Sequence, residues 1–174
     1  MQKTGRPGVR AGLSMALMAA ITTTAAAESA KDTEARNAAA GFAITTSLTV
    51  MESLGRQCGT YEGDAGTQAR TALQGWQQRN NRYLEPALQR VLMLTDAVTA
   101  TAGEADGRAF AETRKAEFTG AARKALLEMF PDGGVTKATC GRIVAATEEG
   151  LYDYRQHAEF FPTLQAMAQA SAKK

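Results

Sequence analysis

Apolar residues recur at steps of three and four along most of the chain, the period of an α-helix buried on one face. The longest such run, residues 67–101, aligns Ala69, Leu73, Trp76, Tyr83, Ala87, Val91, Leu94 and Val98. It holds the only tryptophan and predicts the central element against which the others pack. Thr67 is its candidate N-cap, and Gly103 closes it. Asn80 and Asn81 weaken its middle, and Pro86 lacks the N–H that the preceding turn requires. A kink between Asn80 and Pro86, or a break into two helices, is therefore expected.

The same period predicts elements on either side. A first helix, capped by Asp32 or Thr33, runs to Cys58 with Ile44, Leu48, Met51, Leu54 and Cys58 inward and Phe42 at the edge. Thr45, Thr46 and Ser47 are weak helix formers, so packing must support it there. Gly59 is placed for a left-handed cap, and residues 60–66 read as a loop. A third helix starts near Glu104 to Asp106 and ends at Phe130, turning Phe110, Phe118, Ala121, Ala122, Leu126 and Met129 inward. Pro131, Asp132, Gly133 and Gly134 form the clearest turn in the chain. A fourth helix, about Thr136 to Glu149, buries Cys140, Ile143, Val144 and Thr147 and ends at Gly150. The last segment reads as a helix interrupted at Pro162, with Leu151, Tyr154, Phe161 and Leu164 packing. Sustained period-two alternation is absent, so the fold expected is an all-α bundle of five or six helices.

The first residues read as an address. Lys3, Arg6 and Arg10 precede the apolar run AGLSMALMAAITTT, and Ala25 and Ala27 form an A-x-A cleavage pattern. Residues 1–27 are thus expected to be a secretory signal peptide, with a single helical domain over 28–174 beginning at Glu28. The run is shorter and richer in Ala and Thr than the ~20 apolar residues of a membrane span, so no stable insertion is expected after cleavage. The whole chain has 20 Lys and Arg against 18 Asp and Glu, a net charge of +2. Removing Lys3, Arg6 and Arg10 leaves 17 against 18, or −1, so the basicity belongs to the address. A near-neutral mature chain has no footprint for nucleic acid, whose affinity rests on clustered Lys and Arg.

An exported chain with two cysteines reads as having one disulfide, Cys58–Cys140. The two are not arranged as C-x-x-C, and no second pair or His cluster accompanies them, so a redox or metal site is the weaker reading.

Signatures of chemistry are sparse. The chain has no phosphate loop, no H-E-x-x-H helix and no G-x-S-x-G elbow. His157 is the only histidine, and Asp153 stands four residues before it. On a helix the two would share a face, as a surface pair or an oriented base. Glu62 with Asp64, and Glu148 with Glu149, are the carboxylate pairs that a cell-wall hydrolase would need. Adjacent residues on a helix diverge, however, and the loop pair lacks an aromatic cleft. Glu62 and Asp64 also lack the ligand alternation of a calcium loop. No catalytic residue, metal ligand or cofactor is assigned.

Trp76-x-x-Arg79-Asn80 is the most distinctive local pattern. Its structural reading is a core indole covered by the Arg79 stem, with Asn80 capping or kinking the helix. Its functional reading is a recognition point, and Trp76, Arg79, Asn80, Tyr152, Tyr154 and His157 are the candidate interaction residues. Cys58, this pattern, Cys140-Gly141 and Glu149-Gly150-Leu151-Tyr152-Asp153 together resemble small all-helical periplasmic proteins of Gram-negative bacteria. The resemblance covers Cys58 to Asp153 and implies address and fold, not a reaction. The expectation is a periplasmic or secreted non-enzymatic interaction protein, a binding, chaperone-like or inhibitory module whose partner is an envelope protein or cell-wall component. A small cell-wall hydrolase and a structural component of an envelope assembly are the alternatives.

Overall fold

The computed structural model of the protein describes residues 29–130 and 134–173. They form five α-helices, α1 (Ala30–Val50), α2 (Asp64–Ala102), α3 (Glu104–Met129), α4 (Lys137–Glu148) and α5 (Phe161–Ser171). A π-helical segment (Met51–Cys58) extends α1, and one 3-10 turn (Tyr154–Gln156) lies between α4 and α5. No strand occurs among the described residues. The expected all-α bundle with a Cys58–Cys140 disulfide is the fold observed. The signal segment 1–27, Glu28, and Pro131 to Gly133 lie outside the described residues.

α1 starts one turn earlier than its propensities suggest. Ser29, not Asp32 or Thr33, is the N-cap: its Oγ accepts from the Asp32 N–H at 3.1 Å and donates to the Asp32 carboxylate at 2.7 Å. That places a carboxylate in the first turn, where the helix dipole favours it.

At Met51 the chain leaves the 3.6-residue period, and the expected inward stripe changes. A π-helix closes i→i+5 bonds and winds more loosely, so steps of four stay on one face. Val50, Leu54 and Cys58 are accordingly buried, while Met51 swings out to 44% exposure. Ser53, also buried, turns its hydroxyl back to the Val50 carbonyl at 3.2 Å. The looser winding brings Cys58 to the first turn of α4, 5.5 Å from Cys140 between Cα atoms.

Gly59 is right-handed at φ −67°, which corrects the expected left-handed cap. Glycine is needed there for space, since a Cβ would lie 2.5 Å from the Gly55 carbonyl oxygen. α2 begins at Asp64 rather than Thr67, so the loop is shorter than expected. Gly66 then lies inside the first turn, where a Cβ would fall 2.0 Å from the Tyr61 carbonyl oxygen.

α2 is one helix of 39 residues, about 58 Å at 1.5 Å per residue, and Pro86 sits within it. Of the two expected alternatives, a kink or a break, the break into two helices does not occur. Pro86 withholds a donor from the turn before it, but Tyr83, Pro86 and Ala87 are all buried, and tertiary packing overrides the local preference. α1 lies antiparallel to α2: Arg90 donates to Asn37 at 2.9 Å at one end, and Gly55 faces Leu73 at the other. The chain reverses at Gly103, and α3 returns along α1 with Phe118 beside Gly41.

α3 buries less than its pattern suggests. Only Gly107 and Ala122 of its residues are buried, Ala121 is exposed, and Phe118, Leu126 and Met129 are half-buried. It is an edge helix. α4 follows expectation closely: Thr136 caps it, Cys140, Ile143, Val144 and Thr147 are inward, and Gly150 ends it at φ 79°. The segment after it does not. Leu151 is 56% exposed, and α5 starts at Phe161 with Pro162 in its first turn, so the proline begins that helix instead of interrupting it.

Candidate functional site

Trp76, Asn80 and Tyr83 project from one face of α2 into the core, and the chain between α4 and α5 folds down onto them. Trp76 is fully buried and donates its indole N–H to the Tyr152 carbonyl at 3.0 Å. Asn80, mid-helix and buried, has both its donors and its acceptor oxygen engaged. Its amide donates to the Trp76 carbonyl and to Asp153 Oδ1, both at 2.9 Å, and its oxygen accepts the Tyr154 N–H at 3.0 Å. Arg79 grips the Asp153 carboxylate with Nε and one terminal nitrogen, at 2.8 and 3.1 Å. The same terminal nitrogen reaches the Thr147 carbonyl at 2.8 Å, tying in the last turn of α4.

Asp153 therefore does not pair with His157. Residues 149–160 form turns and one 3-10 turn, not a helix, so the expected shared face does not exist. The Asp153 side chain is 2% exposed and belongs to Arg79 and Asn80, with Arg155 Nε 3.5 Å away. His157 instead lies against Phe42, ring centres 4.6 Å apart, and Phe42 stacks on Phe160 at 4.5 Å. Arg79 and Asn80 are thus more than a cover and a kink: they are the receptor for the α4–α5 connection.

Tyr154 is the centre of the aromatic cluster. Its ring meets Trp76 edge-on at 5.6 Å, Phe42 at 6.0 Å and Tyr83 at 6.2 Å. Its hydroxyl donates to the Ala43 carbonyl at 2.8 Å. Trp76, Asn80 and Tyr154 are closed to solvent, which corrects their expected place on a contact surface. Arg79, Tyr152 and His157 are half-buried and line surface clefts.

Burial pushes the Tyr154 phenol well above its ordinary range and raises Tyr152 as well. Above the unfolded tyrosine value of about 10, the unfolded chain gives up a proton that folded Tyr154 retains. Stability is therefore full below about pH 10 and falls as pH rises beyond it. Tyr154→Phe is expected to cost about 1 kcal/mol at neutral pH through the lost bond to Ala43. It should also flatten the alkaline loss, leaving a smaller residue from Tyr152. Urea midpoints at about pH 8 and about pH 11 check this, and an unaltered alkaline slope would count against it.

No known family, curated protein or solved structure matches this chain. The function must be argued from its own surfaces.

Glu62, Asp64, Glu148 and Glu149 are all exposed. Among the described residues, no group of three or more His, Cys, Asp or Glu could hold a metal ion. No helix among them is long and apolar enough to cross a membrane.

Two surface features do stand out. One is a groove of about 480 Å³ between α1, α3 and the α4–α5 connection, lined by Phe42, Thr46, Val50, Met129, Tyr152 and His157 among others. The other lies on α2, where Arg79 and Arg82 meet Arg155. Sequence reasoning marked Tyr152 and His157 in the first and Arg79 in the second. It missed Phe42 and Met129 as groove walls, and Arg82 and Arg155 altogether. The signal for Arg82 was present: it follows Arg79 by three residues, on the same side of α2.

Proposed function

We propose that the protein is an exported, periplasmic or secreted, interaction protein that works by binding rather than catalysis. Its contact surface is the α1–α3 groove, and its partner is a protein of the cell envelope. The observation that carries this reading is the apolar character of the groove. Phe42, Val50, Ala125, Met129 and Tyr152 stand in its wall, with Glu128 its one acid. Apolar concavities on a protein surface mark protein contacts more often than chance. An oxidising compartment is supported by the Cys58–Cys140 bridge, since such bonds persist outside the reducing cytosol.

The test is capture from an envelope extract with protein starting at Glu28 and photo-crosslinkers placed at the groove residues Thr46 and Glu128. One partner is expected, crosslinked through both positions. Thr46→Arg with Glu128→Arg should abolish capture while leaving the thermal midpoint within about 3 °C, because both line the groove, Glu128 exposed and Thr46 half-buried. Undiminished capture by that variant removes the groove from the proposal, and a folded bait with no partner removes the binding role.

A further inference from the structure

On the α2 surface, Gln78, Arg79, Arg82, Asp153 and Arg155 line a cleft of about 300 Å³. Three guanidiniums face it against one carboxylate. That carboxylate is already enclosed, 2% exposed and held by Arg79 and Asn80, so it offers no acceptor to the cleft beyond its contact with Arg155. Asp153 thereby fixes Arg79 on the floor and steadies Arg155 at 3.5 Å, while Arg155 stays 60% exposed. Arg82 stands over the ring of Tyr83, its guanidinium carbon 4.6 Å from the ring centre, and makes no ion pair among the described residues. Two forks of N–H donors are thus held at the rim with a surplus of positive charge. Planar guanidinium donors of this kind match the oxygens of carboxylate and phosphate.

One turn further along α2 the surface changes character. A second cleft, about 490 Å³, shares Arg82 and Tyr83 with the first and continues over Pro86 to Ala168 and Ala172 of α5. Glu85 is the one acid on its wall, and Gln165 and Gln169 add neutral polar groups. A cationic end and a largely apolar trough therefore meet at Arg82.

We propose that this double cleft binds an organic oxyanion, a carboxylate or phosphate monoester, at Arg82 and Arg155, with the ligand's apolar body lying over Pro86 toward Ala168 and Ala172. Arg79 and Asp153 are positioning residues for it. The site is separate from the α1–α3 groove and does not depend on the role assigned to that groove.

Calorimetric titration of the folded, disulfide-bonded protein tests the inference with four probes. These are octanoate and octyl phosphate below their micelle concentrations, inorganic phosphate, and neutral octyl glucoside. At least one amphiphilic anion should bind saturably at one site, and the one that binds more tightly identifies the head group. Inorganic phosphate should bind at least about tenfold more weakly, and the glucoside not at all. Arg82→Gln and Arg155→Gln should each weaken binding about tenfold, the effect of losing a charge-assisted hydrogen bond, with unchanged thermal midpoints. Glucoside binding equal to the anions, no saturable binding by either anion, or affinities indifferent to both substitutions would overturn the site. Inorganic phosphate binding as tightly as the amphiphiles would overturn the apolar half.

Discussion

Cys58→Ala, Cys140→Ala and the double variant are expected to lose the same stability, about 4 kcal/mol, and to melt at least about 10 °C below the parent. The bridge closes 82 residues of sequence separation, enough for the loop-entropy relation to give about 4.5 kcal/mol, near the upper end of the 2–5 kcal/mol usual for native bridges. Both cysteines are buried, Cys58 at 0% and Cys140 at 2%, so each alanine adds only a small packing loss to the shared loss of the cross-link. That is why the double variant should match the singles instead of summing them. Reductant should lower the midpoint of the parent by a similar amount and leave the variants unmoved. Midpoints unchanged in all three variants would show that the bridge constrains nothing the rest of the core does not already hold.

The bridge also matters for where the clefts stand. It joins the end of the π-helical segment to α4, while the whole α2–α3 hairpin lies in the loop between them. The last turn of α4 supplies the Thr147 carbonyl that Arg79 uses, and the connection after it supplies Asp153, Tyr154 and His157. Loosening α4 would therefore disturb both the groove beside His157 and the arginine cleft.

Much of this was legible from periodicity because it depends on local preference and burial acting together. Trp76 in the core, the α4 boundaries with Thr136 and Gly150, and the cysteine pair all follow from rules that reach only a few residues. The failures have a common cause. Pro86 and the two asparagines argue for a break on local grounds, yet Tyr83 and Ala87 are packed against elements far away in sequence. The π-helical winding at Met51 was hidden by the assumption of a 3.6-residue period. Met51, fitted to the inward stripe, is the residue that gives the error away.

The Asp153–His157 pair failed for a related reason. Spacing by four places two side chains together only on a helix, and Gly150 at positive φ had already ended α4. What Asp153 does is decided by Arg79, 74 residues earlier. The usable hint was energetic: a mid-helix Asn beside an Arg needs partners, and an acid surrounded by aromatic residues needs a cation.

Arg79→Ala should accordingly be the most damaging truncation of a surface-reaching side chain, costing about 3 kcal/mol. It would leave the Asp153 carboxylate 2% exposed with only the Asn80 amide and a distant Arg155, and removing one partner of a buried pair typically costs 3–5 kcal/mol. The lower end applies because the Arg79 side chain is 34% exposed, so water can enter where it stood. Arg79→Lys keeps the charge but gives up the two-point grip, and should recover about half. Asp153→Ala alone frees Arg79 toward solvent, so it should cost less than Arg79→Ala. The double variant should then be more stable than the sum of the singles predicts, by about 1–3 kcal/mol of coupling. High salt should reduce that coupling only slightly, since screening acts weakly on an enclosed pair. Urea unfolding of the four proteins, with and without added salt, decides it. A cost below about 1 kcal/mol with strict additivity would place the pair among ordinary surface contacts and leave the seating of the α4–α5 connection to Trp76 and Tyr154 alone.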